Sequence, residues 1–237
     1  MAVITGLTGN VTLVGGFVTS VYRWTARPSA GLLDNTAFSP ASSYRASGAG
    51  LLDWEGTYSC RKKAAVTTTL SAAGAAYDNN AHKFECEIAC EALPATVFTA
   101  TYHARQAGLL SARATWSCWV DDTQALPPAG TSDTLTFTLA GADDYAIPMI
   151  VTETPIEISA VGGVRLIQIT GENNGAVVPG GTSPIAGVLG AATFVAVAGR
   201  QYSGDILITR VRISLSADRE EGDFEFDWVG AGTATPA

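Results

Sequence analysis

Apolar residues recur at every second position along most of this chain. In the stretch KFECEIACEA, residues 83–92, Phe84, Cys86, Ile88, Cys90 and Ala92 fall on one side, and Lys83, Glu85, Glu87, Ala89 and Glu91 on the other. A repeat of two is the side-chain period of a strand, and the 3.6-residue period of a helix is hard to find anywhere in the sequence. Trp54, Gly56, Tyr58 and Cys60 share one face of a second such run. Ala112, Ala114, Trp116, Cys118 and Val120 share a face of a third, and Leu135, Phe137 and Leu139 alternate with Thr134, Thr136 and Thr138. The pattern predicts an all-β fold with one or two short helices, at residues 120–125 or within 67–76. Residues 64–81, 126–132 and 171–183, rich in Thr, Ala, Asn, Gly and Pro, read as loops.

The clearest hairpin is at the C-terminal end, where two alternating runs flank a polar Asp-Arg-Glu-Glu turn. Val211, Ile213 and Leu215 form one apolar row, and Phe224, Phe226 and Trp228 another. Matching row to row predicts Val211 opposite Trp228, Ile213 opposite Phe226, Leu215 opposite Phe224 and Arg212 opposite Asp227. A slip by one residue would set apolar against polar.

One phrase occurs twice. Residues 49–60 read AGLLDWEGTYSC and residues 107–118 read AGLLSARATWSC, at an ungapped offset of 58. Tyr44 and Ala46 are answered by Tyr102 and Ala104 at the same offset. An even offset preserves strand parity, so the phrase marks a possible internal duplication of residues 44–60 and 102–118. No linker divides the chain, and it reads as a single β domain, 1–237, with an elaborated middle at about 61–199.

Composition changes the picture at two points. Only 15% of the 237 residues are charged, against 47% hydrophobic, and an average chain carries about 25% charged residues. So apolar a surface suggests extensive burial against partners. The net charge of −8 opposes a role in gripping nucleic acid, which calls for a basic surface. The N-terminus lacks a signal-peptide pattern, and the most apolar window, residues 184–199, is short and Gly-broken, so neither export nor a membrane span is expected.

Chemistry finds little foothold. Cys60, Cys86, Cys90 and Cys118 all fall on apolar strand faces and read as buried thiols; the Cys86–Cys90 spacing lacks a zinc knuckle's turn. The two histidines, His82 and His103, come with no nucleophile elbow. Adjacent acids such as Asp121-Asp122 point to opposite strand faces and make no catalytic carboxylate pair. No catalytic residue, metal site or cofactor is expected. Trp119 points away from Trp116, toward a possible interface.

Four motifs in order carry a resemblance: Val21-Tyr22-Arg23-Trp24; Asp34-Asn35-Thr36-Ala37-Phe38; Gly50-Leu51-Leu52-Asp53-Trp54-Glu55-Gly56; and a closing hairpin from Tyr202-Ser203-Gly204 to Phe224-Glu225-Phe226-Asp227. Together they resemble the tail tube proteins of long, flexible-tailed phages. The middle of the chain departs from that pattern, and the second phrase has Ser111-Ala112 where the first has Asp53-Trp54. The resemblance implies a β-sandwich or half-barrel whose strands complete a ring with neighbouring copies, six to a ring or three if the chain is duplicated. Rings would stack into a hollow tube in the virion tail, joined to other tail proteins, with DNA passing through unbound. The family strand would comprise Gly50, Asp53, Trp54 and Gly56. Two acidic rows are the candidates for the lumen lining, Asp223, Glu225 and Asp227, and Glu85, Glu87 and Glu91, with Arg210 and Arg212 on the face of the first. Residues 171–198 are a candidate ring-to-ring contact. The alternatives are another virion structural protein, such as a capsid decoration or tail-completion subunit, and a carbohydrate-binding or adhesin β module.

Overall fold

A computed structural model of the chain describes residues 10–13, 21–34, 47–63, 67–72, 75–76, 81–120, 129–139, 143–154, 156–158, 165–173, 175–176, 178–179, 186–197, 200–216, 218 and 221–236. They form fifteen strands: β1 Asn10–Leu13, β2 Val21–Asp34, β3 Ser47–Lys63, β4 Thr67–Ala72, β5 Ala75–Ala76, β6 Ala81–Pro94, β7 Arg105–Val120, β8 Ser132–Leu139, β9 Asp143–Glu153, β10 Ile156–Ile158, β11 Arg165–Asn173, β12 Val178–Pro179, β13 Leu189–Val197, β14 Arg200–Ser216 and β15 Glu221–Pro236. The fold is all-β. The helix expected within residues 67–76 is instead the strand pair β4–β5. Its Thr-Thr-Thr run is β-branched and favours a strand. The other expected helix lies, after Val120, outside the described residues. The loop expected at 171–183 begins inside β11 and contains β12, and β8 starts at Ser132.

The main path of the sheet runs β2-β3-β15-β14-β6-β7-β11-β9-β8-β4-β5, antiparallel throughout, with β13 and β1 branching from β14. β14 has two neighbours on one side: β13 along its first half and β6 along its second. Bulges between Gly204 and Ile206 and between Ile208 and Arg210 bend it between these partners. The sheet folds back on itself as a result. Phe194 of β13 reaches Trp24 of β2 (5.6 Å), Trp54 of β3 (6.4 Å) and Trp228 of β15 (4.9 Å). The apolar faces meet in one sandwich-like core that includes Tyr58, Phe84, Ile88, Trp116, Ile213, Phe224 and Phe226. Tyr58 stacks on Phe226 at 4.3 Å.

The C-terminal hairpin has the parity expected but not the register. Val211 faces Phe226, Ile213 faces Phe224 and Arg212 faces Glu225, two positions from the pairing expected. Periodicity of two cannot distinguish registers two apart, because both keep every side chain on its own face.

The registers repeat. In the β2–β3 hairpin Val21 faces Cys60, Arg23 faces Ser59, Trp24 faces Tyr58, Ala30 faces Leu52 and Leu32 faces Ala49. In the β6–β7 hairpin Ala81 faces Cys118, Lys83 faces Ser117, Phe84 faces Trp116, Cys90 faces Leu110 and Ala92 faces Ala107. Val21 thus answers to Ala81 and Cys60 to Cys118, and the match holds at a constant offset along each strand, with both bulges in the same places. The twice-written Ala-Gly-Leu-Leu therefore encodes a bulged strand. Gly50 approaches the carbonyl of Gly31, and Gly108 that of Glu91, so closely that a Cβ would stand 3.1 and 3.0 Å away.

A second correspondence, again at a constant offset, covers the remaining strands apart from β5 and sets Leu189 against Ser132 and Arg210 against Glu153. β13–β14 pairs Leu189 with Leu207 and Phe194 with Tyr202; β8–β9 pairs Ser132 with Ile150 and Phe137 with Tyr145. β14–β15 pairs Ile208 with Trp228 and, past the bulge, Arg210 with Asp227; β9–β11 pairs Val151 with Gly171 and, past its bulge, Glu153 with Thr170. β10 continues β9, with Ile156 facing Ile167 as Ile213 faces Phe224. β1 on β13 is matched by β4 on β8. Even the entry turns agree: Gly130 and Gly187 have φ of 89° and 88°, a conformation suited to glycine. Each donates its N–H at 2.7 Å, to Val151 and Ile208 respectively.

The chain thus contains two six-stranded units of the same register. The outer unit is β1, β2, β3, β13, β14 and β15; the inner unit is β4, β6, β7, β8, β9–β10 and β11. They are joined where β14 pairs with β6, from Arg210 opposite Ala89 to Ser216 opposite Lys83.

Candidate functional site

The two acidic rows belong to one face. β14 lies between β15 and β6, so Arg212 stands opposite Glu225 on one side and Glu87 on the other. The row continues through Ser59 to Arg23 in one direction and through Arg113 to Glu172 in the other. From Glu225 on β15 to Glu172 on β11 the charge alternates strand by strand, and opposite charges in register attract.

Arg212 is the centre of the network. Its Nε donates to Glu87 Oε2 at 3.1 Å and its Nη1 to Glu225 Oε2 at 2.9 Å, and Asp227 Oδ2 lies 3.8 Å from Nη2. Partial burial pulls its pKa down, but hydrogen bonds to Glu87 and Glu225 and the charges of Asp227 and Glu225 outweigh this, and the net shift is upward. Arg210 Nε donates to Asp227 at 2.6 Å, Arg61 Nε to Asp223 at 3.0 Å, and Lys83 lies 2.8 Å from Glu85. Arg61 also covers the Tyr22 ring at 4.9 Å.

The face is hollowed into an open trough of about 680 Å³ spanning β2 to β7, lined by Arg23, Glu85, Glu87, Arg212, Asp223 and Glu225 among others. Sequence reasoning identified the carboxylates, the two arginines of β14 and Lys83 on the face of the Glu row, but missed Arg23, Arg61 and Arg113. Only the strand order brings these three beside the acids. The lining is therefore not simply acidic: its carboxylates are met by cations. Glu91 is set apart, at the β6–β7 bulge, exposed and outside these ion pairs.

Gly50, Asp53, Trp54 and Gly56, which carry part of the resemblance, have structural roles here. Trp54 is buried edge-on to Trp228 at 4.8 Å. Gly56 lies where a Cβ would overlap the Thr25 carbonyl and the Trp228 ring. Asp53 accepts the Trp54 N–H at 2.9 Å and pairs with Arg105. Gly50 occupies the bulge described above. All four cysteines are buried free thiols. Burial, reinforced by the charge of Glu87, pushes Cys86 up to about 12, and burial alone pushes Cys118 to about 12. Trp119 is 43% exposed and stacks on His82 at 5.3 Å. His103 is half-buried and donates its backbone N–H to Leu52. Among the described residues no cluster of three or more His, Cys, Asp or Glu is placed to hold a metal, and no helix is long and apolar enough to cross a membrane.

The sheet is also open at β2. Among the described residues β3 is its only strand partner. Beyond Ala26 every residue of β2 is exposed, including Leu32 at 81% and Leu33 at 56%. Val97 and Phe98, at the tip of the β6–β7 hairpin, and Leu109 are exposed as well. That tip reaches β3 through a Leu52–Tyr102 bridge.

A scan against protein-family models finds no match for this chain, and a search of curated proteins finds none either.

Proposed function

We propose that this chain is a structural subunit of a virus tail tube, assembling with copies of itself into stacked rings around a bore that passes DNA. The observation that carries the reading is the unfinished sheet: a 14-residue edge strand, β2, with exposed leucines and no outer neighbour among the described residues, on a chain with few charges. Soluble β proteins normally blunt such edges, and closure through copies of the chain removes them. Two units of like register in each chain favour three chains to a ring. The charged trough is the proposed lining of the bore. Arg61, Arg210 and Arg212 are already engaged by carboxylates, which weakens their pull on the phosphates of a passing duplex.

Electron microscopy of negatively stained, concentrated protein tests this. Hollow fibres or stacked rings are expected. Isolated rings or knobs would favour another virion component. Monodisperse monomers at all concentrations would overturn the reading and favour a self-contained binding module.

A further inference from the structure

We infer that β2 of one copy pairs with the β9–β10 edge of the next, in the register that β6 already makes with β14 inside each chain. The inference rests on the self-assembly part of the reading above, not on the identity of the tail.

The units correspond strand by strand, so the β14–β6 seam between them is a template. At that seam β14 residues Arg210 to Ser216 pair with β6 residues Lys83 to Ala89. The counterpart of this part of β14 is the end of β9 with β10, where Glu153 answers to Arg210 and Ile156 to Ile213. The counterpart of β6 is β2, where Trp24 answers to Phe84 and Ser29 to Ala89. Among the described residues both are open: β10 pairs only with β11, and β2 only with β3. Carrying the register over places Glu153 opposite Ser29 and Glu157 opposite Thr25 of the neighbouring copy.

Burial supports the same conclusion. On β6, Phe84, Cys86, Ile88 and Cys90 are 2%, 3%, 0% and 7% exposed. Their counterparts on β2 are Trp24, Ala26, Pro28 and Ala30, of which the first two are only half-buried and the last two exposed. The same apolar row is covered where β14 flanks it and exposed or half-buried on β2, which no described strand flanks on that side. Pro28 has no N–H to donate, so the ladder carried over is poorer at this position than the one β6 makes at Ile88.

Charge identifies the occupant as a second copy. At the internal seam Arg210 Nη1 lies 4.0 Å from Glu87 Oε2. The counterpart of Arg210 is Glu153, and that of Glu87 is Arg27, so the pair recurs with its signs exchanged. Arg27 is therefore complementary to Glu153 of a neighbour but would oppose Arg210, which keeps β2 from competing with β6 for β14.

Two sets of variants test this, each checked for native circular dichroism. Arg27→Glu and Glu153→Arg should each weaken association about tenfold in low salt, the scale of one reversed ion pair, and the double variant should recover it. Second, an equimolar mixture of Ser29→Cys and Glu153→Cys chains should form an intermolecular disulfide under oxidation, whereas Ser29→Cys mixed with Glu157→Cys, four residues out of register, should not. Sedimentation velocity reads the first, and non-reducing denaturing gel electrophoresis the second. Wild-type chains that assemble while neither the rescue nor the disulfide appears would overturn this register and leave self-assembly standing. Wild-type chains that never associate would overturn both.

Discussion

Replacing Arg212 with Met removes one charge and keeps most of the side chain's bulk, so it isolates the electrostatic part of the cross-strand network. Arg212 has two hydrogen-bonded carboxylates at 2.9 and 3.1 Å and a third at 3.8 Å. The side chains are well hydrated, with Arg212 at 40%, Glu87 at 46%, Glu225 at 47% and Asp227 at 20% exposed. Exposed pairs of this kind are worth about 0.5 kcal/mol each. Loss of the cation also leaves Glu87 and Glu225 two strands apart, about 10 Å, a separation at which repulsion is largely screened at about 0.1 M salt. The expected cost is about 1.5 kcal/mol in dilute buffer, falling to about half or less in about 1 M NaCl, where the screening length is about 3 Å. Urea unfolding of dilute protein, followed by tryptophan fluorescence at both salt concentrations, measures it. A loss that is the same at both would mean that Arg212 acts through the packing of its stem. A loss above about 3 kcal/mol would mean that the network behaves as a buried one.

Gly56→Ala should cost about 1–3 kcal/mol by overpacking against Thr25 and Trp228, read as a lower urea midpoint. Gly130→Ala and Gly187→Ala should each cost about 1 kcal/mol, because both glycines have positive φ; a large cost at only one would show that the two turns are not equivalent in energy. Alkaline pH should destabilise the fold through Cys86 and Cys118. Both thiols stay protonated up to about 12 when folded but ionise near 9 when unfolded, so the unfolded chain loses protons first and stability falls as pH rises from about 9 to 12. At about pH 10 the two together amount to about 3 kcal/mol, measurable as a loss relative to the Cys86→Ala, Cys118→Ala variant normalised at neutral pH.

The strands themselves were plain in the sequence, because most present one apolar and one polar face, as in residues 83–92. Their order was not. Nothing local says that β14 enters between β15 and β6, and it is this placement that turns two acidic rows into one face of mixed charge. Register was legible only modulo two: alternation set Val211 on the correct side but two positions from its partner. The repeated Ala-Gly-Leu-Leu was visible because a bulge with a close backbone approach tolerates few side chains at its glycine. The wider correspondence between the units left almost no trace, since Arg27 matches Glu87 and Glu153 matches Arg210, and strand geometry constrains pattern far more than identity. The helix expected at 67–76 reflected a lack of clear alternation in an Ala- and Thr-rich segment whose pairing is decided by β8.

The nesting of the two units has a consequence for how the polypeptide emerges from the ribosome. The inner unit is complete once Asn173 has been synthesised, whereas the outer one needs both its first strand at Asn10 and its last at Pro236. β1 to β3 must therefore wait, with half their lattice of hydrogen bonds missing, while the whole inner unit is added behind them. Long-range closure of this kind is slow, and the finished inner unit, already presenting β6 as a seed, is what the late-arriving β14 and β15 have to find.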